Sequence, residues 1–325
     1  MVKPGRLPVP CAACYQRRMK LLSDFDGVWT DPREESRAQG EIVDDALVEW
    51  SPPDRRGDVR AWIASARRAV LAEPRRWGWA SGGRVTCFAD EDPFAEHAAL
   101  LHYVHARAGD DPIARRLHEA ALEPGHASIE AFGGAAHAAA VARIERERGP
   151  GVLADAAEAG RRMLAHGVEI VVVSNSDDAK LARWFGHAGL PFRLHPATAP
   201  GALRLRGGSR KFGLDPGASE RLAVGEWGVE VRRPYYDAIL REETPDAIVG
   251  DVFSLDLALP LALRRREPAW RHVRLFWIAG GHAPERMIRD LAGAAPEIER
   301  MENGLAGVAA ALGAGEGPGR ISPGG

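Results

Sequence analysis

The run Ser23-Asp24-Phe25-Asp26-Gly27-Val28-Trp29-Thr30 follows directly on a short apolar stretch, Lys20-Leu21-Leu22-Ser23. If that stretch is a strand, its C-terminal end carries two carboxylates two residues apart. Such a pair repels itself unless a divalent cation sits between the groups or one of them stays protonated. Gly27 then permits a tight turn whose backbone passes close to a ligand. Taken alone, Asp-Phe-Asp-Gly is equally an acidic turn in water, because short motifs recur by chance.

The surroundings read as an α/β fold with a Rossmann-like parallel sheet. Glu169 to Val173, Glu-Ile-Val-Val-Val, is β-branched with no polar alternation, as expected of a strand covered on both faces. A helix expected over Val152 to Ala165 precedes it and stops at His166-Gly167. Another, Asp177 to His187, follows; Ser176 or Asp177 caps its start and Gly189 marks its end. Further strands are expected at Asp246 to Gly250 and His272 to Ile278. Strands alternating with helices of this size call for a parallel sheet.

Between the first two strands lies an insertion, 32 to 149, with helical spacing over Ala95 to Ala108, Pro112 to Leu122 and Ser128 to Arg148. Ser51-Pro-Pro and Ser81-Gly-Gly interrupt it. It reads as a mainly helical domain set into an α/β core of 19 to 31 and 150 to 312. A second insertion, 195 to 231, holds strand-like runs at Ala202 to Arg206 and Arg221 to Val231, expected to pair as a hairpin around Gly207-Gly208. The Pro-rich start, 1 to 18, and the Gly-rich end, 313 to 325, are expected to be unstructured.

Composition narrows the function. A chain of 325 residues is long enough for two cores. With 43 Lys+Arg against 45 Asp+Glu, it lacks the basic excess of a nucleic-acid binder. The longest apolar run, Leu255 to Leu263, is too short to span a membrane and contains Asp256 and Pro260. No secretory signal stands at the N-terminus, so a cytoplasmic location is expected. Cys11 and Cys14 form a CxxC pair, but Cys87 is the one other cysteine, so a zinc site would lack two ligands. Lysine occurs only at 3, 20, 180 and 211. A site that needs one has few places to find it.

Two more strand ends carry matching chemistry. Ser174-Asn175 offers a hydroxyl and helix-start amides to a phosphate oxygen, or simply a helix cap. Gly250-Asp251 and Asp256 put further carboxylates at the edge where open α/β sheets bind ligands. With Asp24-Phe25-Asp26-Gly27-Val28 as motif one, Ser174-Asn175 as motif two and Gly250-Asp251 with Asp256 as motif four, the chain resembles the haloacid dehalogenase (HAD) superfamily of aspartyl-nucleophile hydrolases. The helical insertion lies where that family places a cap.

The resemblance implies a HAD-like core and a set of roles. Asp24 would attack phosphorus, and Asp26 would protonate the leaving oxygen and later take a proton from water. Ser174 would hydrogen-bond the phosphoryl group, with Gly27 and Asn175 beside it. Asp24, Asp251 and the backbone carbonyl of Asp26 would hold Mg2+, with Asp256 as an auxiliary carboxylate. Dehalogenases of the superfamily lack an acid at the Asp26 position; its phosphatases and phosphomutases have one. The motif-three cation is either Arg233, before Pro234 where the family usually has lysine, or Lys211, in Ser209-Arg210-Lys211-Phe212-Gly213. Lys180, inside the helix after motif two, reads as a surface residue.

In the insertion, His102 and His105 could form a metal pair near His97, although histidines at this spacing are usual on an exposed helix. Trp77 and Trp79 would pack the cap or line its mouth, and Arg75-Arg76 would bind an anion or stand in water. The function expected is a Mg2+-dependent phosphatase acting on a small phosphorylated metabolite. A phosphomutase or phosphotransferase would use the same residues, and a non-catalytic binding protein on this scaffold is the alternative from another class. The oligomeric state is left open.

Overall fold

The computed structural model describes residues 18–123 and 125–314. Cys11 and Cys14 lie outside them, as does most of the two end segments. A parallel sheet of seven strands forms the centre: β1 (Lys20–Ser23), β4 (Glu169–Val173), β5 (Phe192–Leu194), β6 (Leu203–Arg206), β9 (Ala247–Gly250), β10 (Arg274–Trp277) and β11 (Ile298–Arg300), in the order β11-β10-β9-β1-β4-β6-β5. Successive side chains of its central strands point to opposite faces, and both faces are buried. Leu22, Val171, Ile248 and Leu275 face one core, Leu21, Ile170, Val249 and Phe276 the other. Helices α8 (Pro234–Glu243), α9 (Ala258–Arg266) and α10 (Glu285–Ala294) cover the first face. Helices α6 (Ala154–Ala165), α7 (Asp178–His187) and α11 (Gly304–Ala311) cover the second.

From β1 the chain passes to β4, then to the edge strand β5 and back inward to β6 between them, before crossing to build β9, β10 and β11 on the other side. The C-terminal ends of β1, β4 and β9 therefore meet at the point where the winding reverses, the place such sheets offer to ligands.

The insertion leaves at Thr30 and returns at Val152. These two residues form an antiparallel bridge, and Leu153 donates its N–H to the Trp29 carbonyl at 2.8 Å. It contains α1 (Arg33–Glu49), α2 (Arg56–Ala72), an antiparallel hairpin of β2 (Gly78–Ser81) and β3 (Arg84–Phe88), then α3 (Pro93–Arg107), α4 (Pro112–Leu122) and α5 (Ile129–Arg148). Asp92, Asp111 and Ser128 cap the last three helices through their side chains. Val43, Leu47, Ile63, Leu100, Leu117 and Phe132 give this cap a core of its own.

One expected pairing is corrected. Leu203–Arg206 does not pair with Arg221–Val231; it joins the main sheet between β4 and β5. The second segment folds on itself, β7 (Arg221–Val224) against β8 (Trp227–Glu230), turning at Gly225-Glu226. Gly207 serves a different contact: a Cβ there would lie 2.4 Å from the backbone nitrogen of Asp178, at the start of α7. The turn-like composition was packing against a helix rather than closing a hairpin.

Candidate active site

Three strand ends bring the acidic residues together. Asp24 prolongs β1, donating its N–H to the Val249 carbonyl at 2.9 Å. Asp251 leaves β9 directly, and its carbonyl accepts from Trp277 Nε1 at 2.7 Å. Gly27 turns at φ +77°, and a Cβ there would sit 1.9 Å from Asp251 Oδ2. That position needs glycine for both conformation and room. After Asp251 the chain makes a π-helical turn, Phe253–Leu257, which points Asp256 back beneath Gly250. Asp24, Asp251 and Asp256 each place a carboxylate oxygen within 4.8 Å of those of the other two.

Of the two candidate cations, Lys211 is the one at this cluster. Its Nζ lies 2.5 Å from Asp24 Oδ1 and 2.6 Å from Asp256 Oδ1. Its backbone is held as well: its N–H donates to Asn175 Oδ1 at 2.8 Å, and its carbonyl accepts from Arg233 Nη1 at 2.6 Å. Arg233 spends its other bonds on the carbonyls of Glu230 and Thr86, at 3.0 and 2.7 Å. The guanidinium is buried among carbonyls, tying the Lys211 loop to β8 and to the cap strand β3. A planar fork suits that task; a single ammonium suits the space between two carboxylates.

Lys180, expected at the surface, is buried at the site. Its Nζ donates to Asp26 Oδ1 at 3.1 Å and to Glu35 Oε2, on α1 of the cap, at 2.8 Å. Ser176 Oγ donates to Asp26 Oδ2 at 3.0 Å. Ser174 Oγ accepts from the Ser176 N–H at 3.0 Å, at the end of β4. Asn175 turns its amide oxygen to Lys211 and to Ser209 Oγ, and so orients the lysine loop. Sequence reasoning missed Lys180, Glu35 and Ser176. The scarcity of lysine was the available signal, since both lysines between motifs two and four converge here.

Electrostatics separates the two carboxylates of motif one. Burial pushes Asp24 well above the usual carboxylate range, and Asp256 and Asp251 add to it against the pull of Lys211. Burial acts the same way on Asp26, but Lys180 and the bonds from it and Ser176 bring that group net below its ordinary value. Asp251 is raised by burial and by Asp256. Asp251 Oδ1 is moreover buried without a hydrogen-bond partner. A cluster of hard oxygen donors, one of them orphaned and two held toward their neutral form by burial and then by neighbouring carboxylates, fits a divalent cation such as Mg2+. Asp256 is committed to Lys211 and, through Oδ2, to the Val252 N–H at 3.1 Å.

No protein-family model and no curated protein sequence matches the chain. Solved structures do. A haloacid dehalogenase-like family hydrolase from Xanthomonas campestris is 14% identical, covering 91% of this chain and 96% of that one at a TM-score of 0.43. A 2-haloacid dehalogenase from Pseudomonas syringae pv. tomato is 16% identical, over 91% and 98%, at 0.39. YfnB of Bacillus subtilis, described as a HAD-hydrolase bound to magnesium, is 11% identical, over 91% and 99%, at 0.45. At these identities and scores the likenesses leave the chemistry to the site itself.

Above the carboxylates lies a cavity of about 540 Å³, closed on the far side by the cap. Trp79 and Phe212 meet across it with ring centroids 6.0 Å apart. Trp77 is packed inside the cap instead, 4.8 Å from Tyr103. His102 and His105 do not form a metal pair: His102 lines the cavity, while His105 Nδ1 is 3.0 Å from His118 Nε2. His97 is bound to Ser36 Oγ at 3.1 Å. Arg75 pairs with Asp290 at 3.2 Å, joining cap to core, and Arg76 pairs with Glu73 at the same distance. Among the described residues, no helix is long and apolar enough to cross a membrane.

Proposed function

We propose that the protein is a HAD-superfamily hydrolase: a Mg2+-dependent phosphatase that works through an aspartyl-phosphate on Asp24. The convergence of Asp24, Asp251, Asp256 and Lys211 carries the reading, because a binding fold has no physical need to bury three carboxylates around one ammonium. Asp24, Asp251 and the Asp26 carbonyl would hold the metal, which when bound would supply positive charge to the phosphoryl oxygens.

The remaining chemistry belongs to the chain. Asp24, having lost its proton to solvent, attacks phosphorus as the ester oxygen leaves, and Asp26 gives that oxygen its proton. Lys180 holds Asp26 ionised in the free protein. A phosphoryl dianion arriving beside it raises Asp26, which takes up a proton from solvent and is then able to donate it. Once ionised again, Asp26 takes a proton from the water that attacks the aspartyl-phosphate, which releases phosphate and restores Asp24. Lys211 offsets the charge on Asp24, and Ser174 and the amides after β4 receive the phosphoryl oxygens.

The test is release of phosphate from 4-nitrophenyl phosphate with Mg2+, repeated with EDTA and with Asp24→Asn. Turnover that needs both the metal and Asp24 supports the reading. Chloride release from a 2-chloroacid in its place would assign the nucleophile to carbon, and transfer to an added alcohol or sugar would make the enzyme a phosphotransferase. No Asp24-dependent reaction across a broad ester panel would favour a binding protein.

A further inference from the structure

The cavity says more about the body of the substrate than about its phosphate. Its cap wall carries an apolar stretch: Phe94 and Leu101 come from α3, Ala138 and Val141 from α5, and the core adds Val252 and Leu255 to the lining. Every cation along the cavity comes from the core and is already paired. Lys211 is bound to Asp24 and Asp256, Lys180 to Asp26 and Glu35, and Arg183 to Glu145 at 3.0 Å. The charged side chains that the cap itself contributes are carboxylates, Asp92, Glu130 and Glu145.

Two cap histidines do not change this balance. Burial pushes His102 down, and burial together with Lys180 pushes His137 down to about 4, so both are neutral near pH 7. One polar feature stands out. Gln39, on α1, lines the cavity and is almost wholly buried; its Nε2 donates to the Gly133 carbonyl at 3.3 Å, which leaves Oε1 without a partner. A buried amide oxygen in that state calls for a donor.

We propose that the leaving group is uncharged and largely apolar, about the size of a substituted ring, and carries a hydroxyl or amide N–H that Gln39 Oε1 accepts. A second carboxylate or phosphate would have to enter without a free cation and past Asp92 and Glu130, which no cation among the described residues offsets, a desolvation cost with no return. The inference rests on the phosphatase reading of the same site, and it discriminates among phosphate esters by what lies beyond the ester oxygen.

Matched aryl esters test it. With Mg2+, kcat/KM for 4-(hydroxymethyl)phenyl phosphate should exceed that for 4-carboxyphenyl phosphate at least tenfold. Val141→Arg, which adds a cation to the cap wall, should shrink or reverse that ratio. Gln39→Met should lower the advantage of the hydroxymethyl ester over the 4-methyl ester severalfold. In parallel, calorimetry of the matching arylphosphonates with the Mg2+-loaded protein reads binding without turnover. Equal or better use of the carboxylated ester, or tighter binding of its phosphonate, overturns the proposal while the phosphatase reading stands. If neither ester turns over and neither phosphonate binds, both fall together.

Discussion

Arg233 stands before Pro234, where the resemblance expects a cation, yet the structure puts Lys211 against Asp24, so replacing each should fail differently. Arg233→Met leaves the carbonyls of Glu230, Lys211 and Thr86 unpaired in a buried setting. At about 2 kcal/mol for each stranded group, the loss is roughly 6 kcal/mol. Part of it is returned, because burial already opposes the guanidinium charge, lowering its pKa from 12.5 to about 10, or about 3 kcal/mol at 1.36 kcal/mol per unit. The net expectation is a destabilisation of about 3 kcal/mol, read as a lower urea midpoint. Turnover per folded molecule should stay within about tenfold of the parent, since no reacting group has gone. Lys211→Met removes the ammonium between Asp24 and Asp256 and should cost at least about 10²-fold in turnover. Arg233→Lys should not restore stability, because one ammonium does not span three carbonyls. An Arg233→Met protein with an unchanged urea midpoint but turnover as poor as Lys211→Met would refute this division of labour.

Other outcomes follow from the same geometry. Asp24→Asn should lose metal-dependent turnover by at least about 10³-fold with the fold intact by circular dichroism; residual activity near the parent's would remove Asp24 as nucleophile. Mg2+ should raise the thermal midpoint by several degrees at saturation, and Asp251→Asn should abolish that rise, because a ligand that binds only the folded state stabilises by mass action. Lys180→Met removes the leading downward pull on Asp26, so the limb of the pH–rate profile reporting that group should move to higher pH; an unmoved profile would deny the coupling. Glu91 is fully buried with its carboxyl pushed up to about 7 by burial. Between about pH 4.5 and 7 the folded state then holds a proton that the unfolded state has lost, so stability falls as pH rises through that window, by about 3 kcal/mol, and is flat above it. Urea midpoints of the parent and Glu91→Gln across that range should show the steeper fall in the parent; equal slopes would remove Glu91 as a source of it.

The core was legible because its signals are local and redundant. A β-branched run such as Glu169–Val173, bounded by a helix stop before and a helix cap after, has one economical reading. The same holds for carboxylates at strand ends, since a parallel sheet brings those ends to one edge whatever lies between them. The hairpin misreading shows where that logic weakens. Gly207-Gly208 has turn composition, but whether such a turn joins two neighbouring strands or makes room for a helix start depends on a partner some thirty residues away.

The site cations show the same divide more sharply. Helical spacing placed Lys180 on α7 correctly but could not say what that helix faces, because the groups that bury it, Asp26 and Glu35, come from β1's end and from the cap. Lys211 sits in a loop with no periodicity at all, and its position is set by Asn175 from one strand end and Arg233 from the start of α8. A charge can be assigned from sequence only as far as its partners are near in sequence; beyond that, desolvation decides. Burying an ammonium costs several kcal/mol unless carboxylates surround it, so in a chain this poor in lysine, two lysines buried at one sheet edge imply at least as many acidic partners there. Asp24 and Asp256 surround one, Asp26 and Glu35 the other. Asp251 stands outside both pairs: its Oδ2 lies 3.3 Å from His282 Nε2, while its Oδ1 is buried with no hydrogen bond to meet it, and the proposed metal site rests on that unbalanced oxygen.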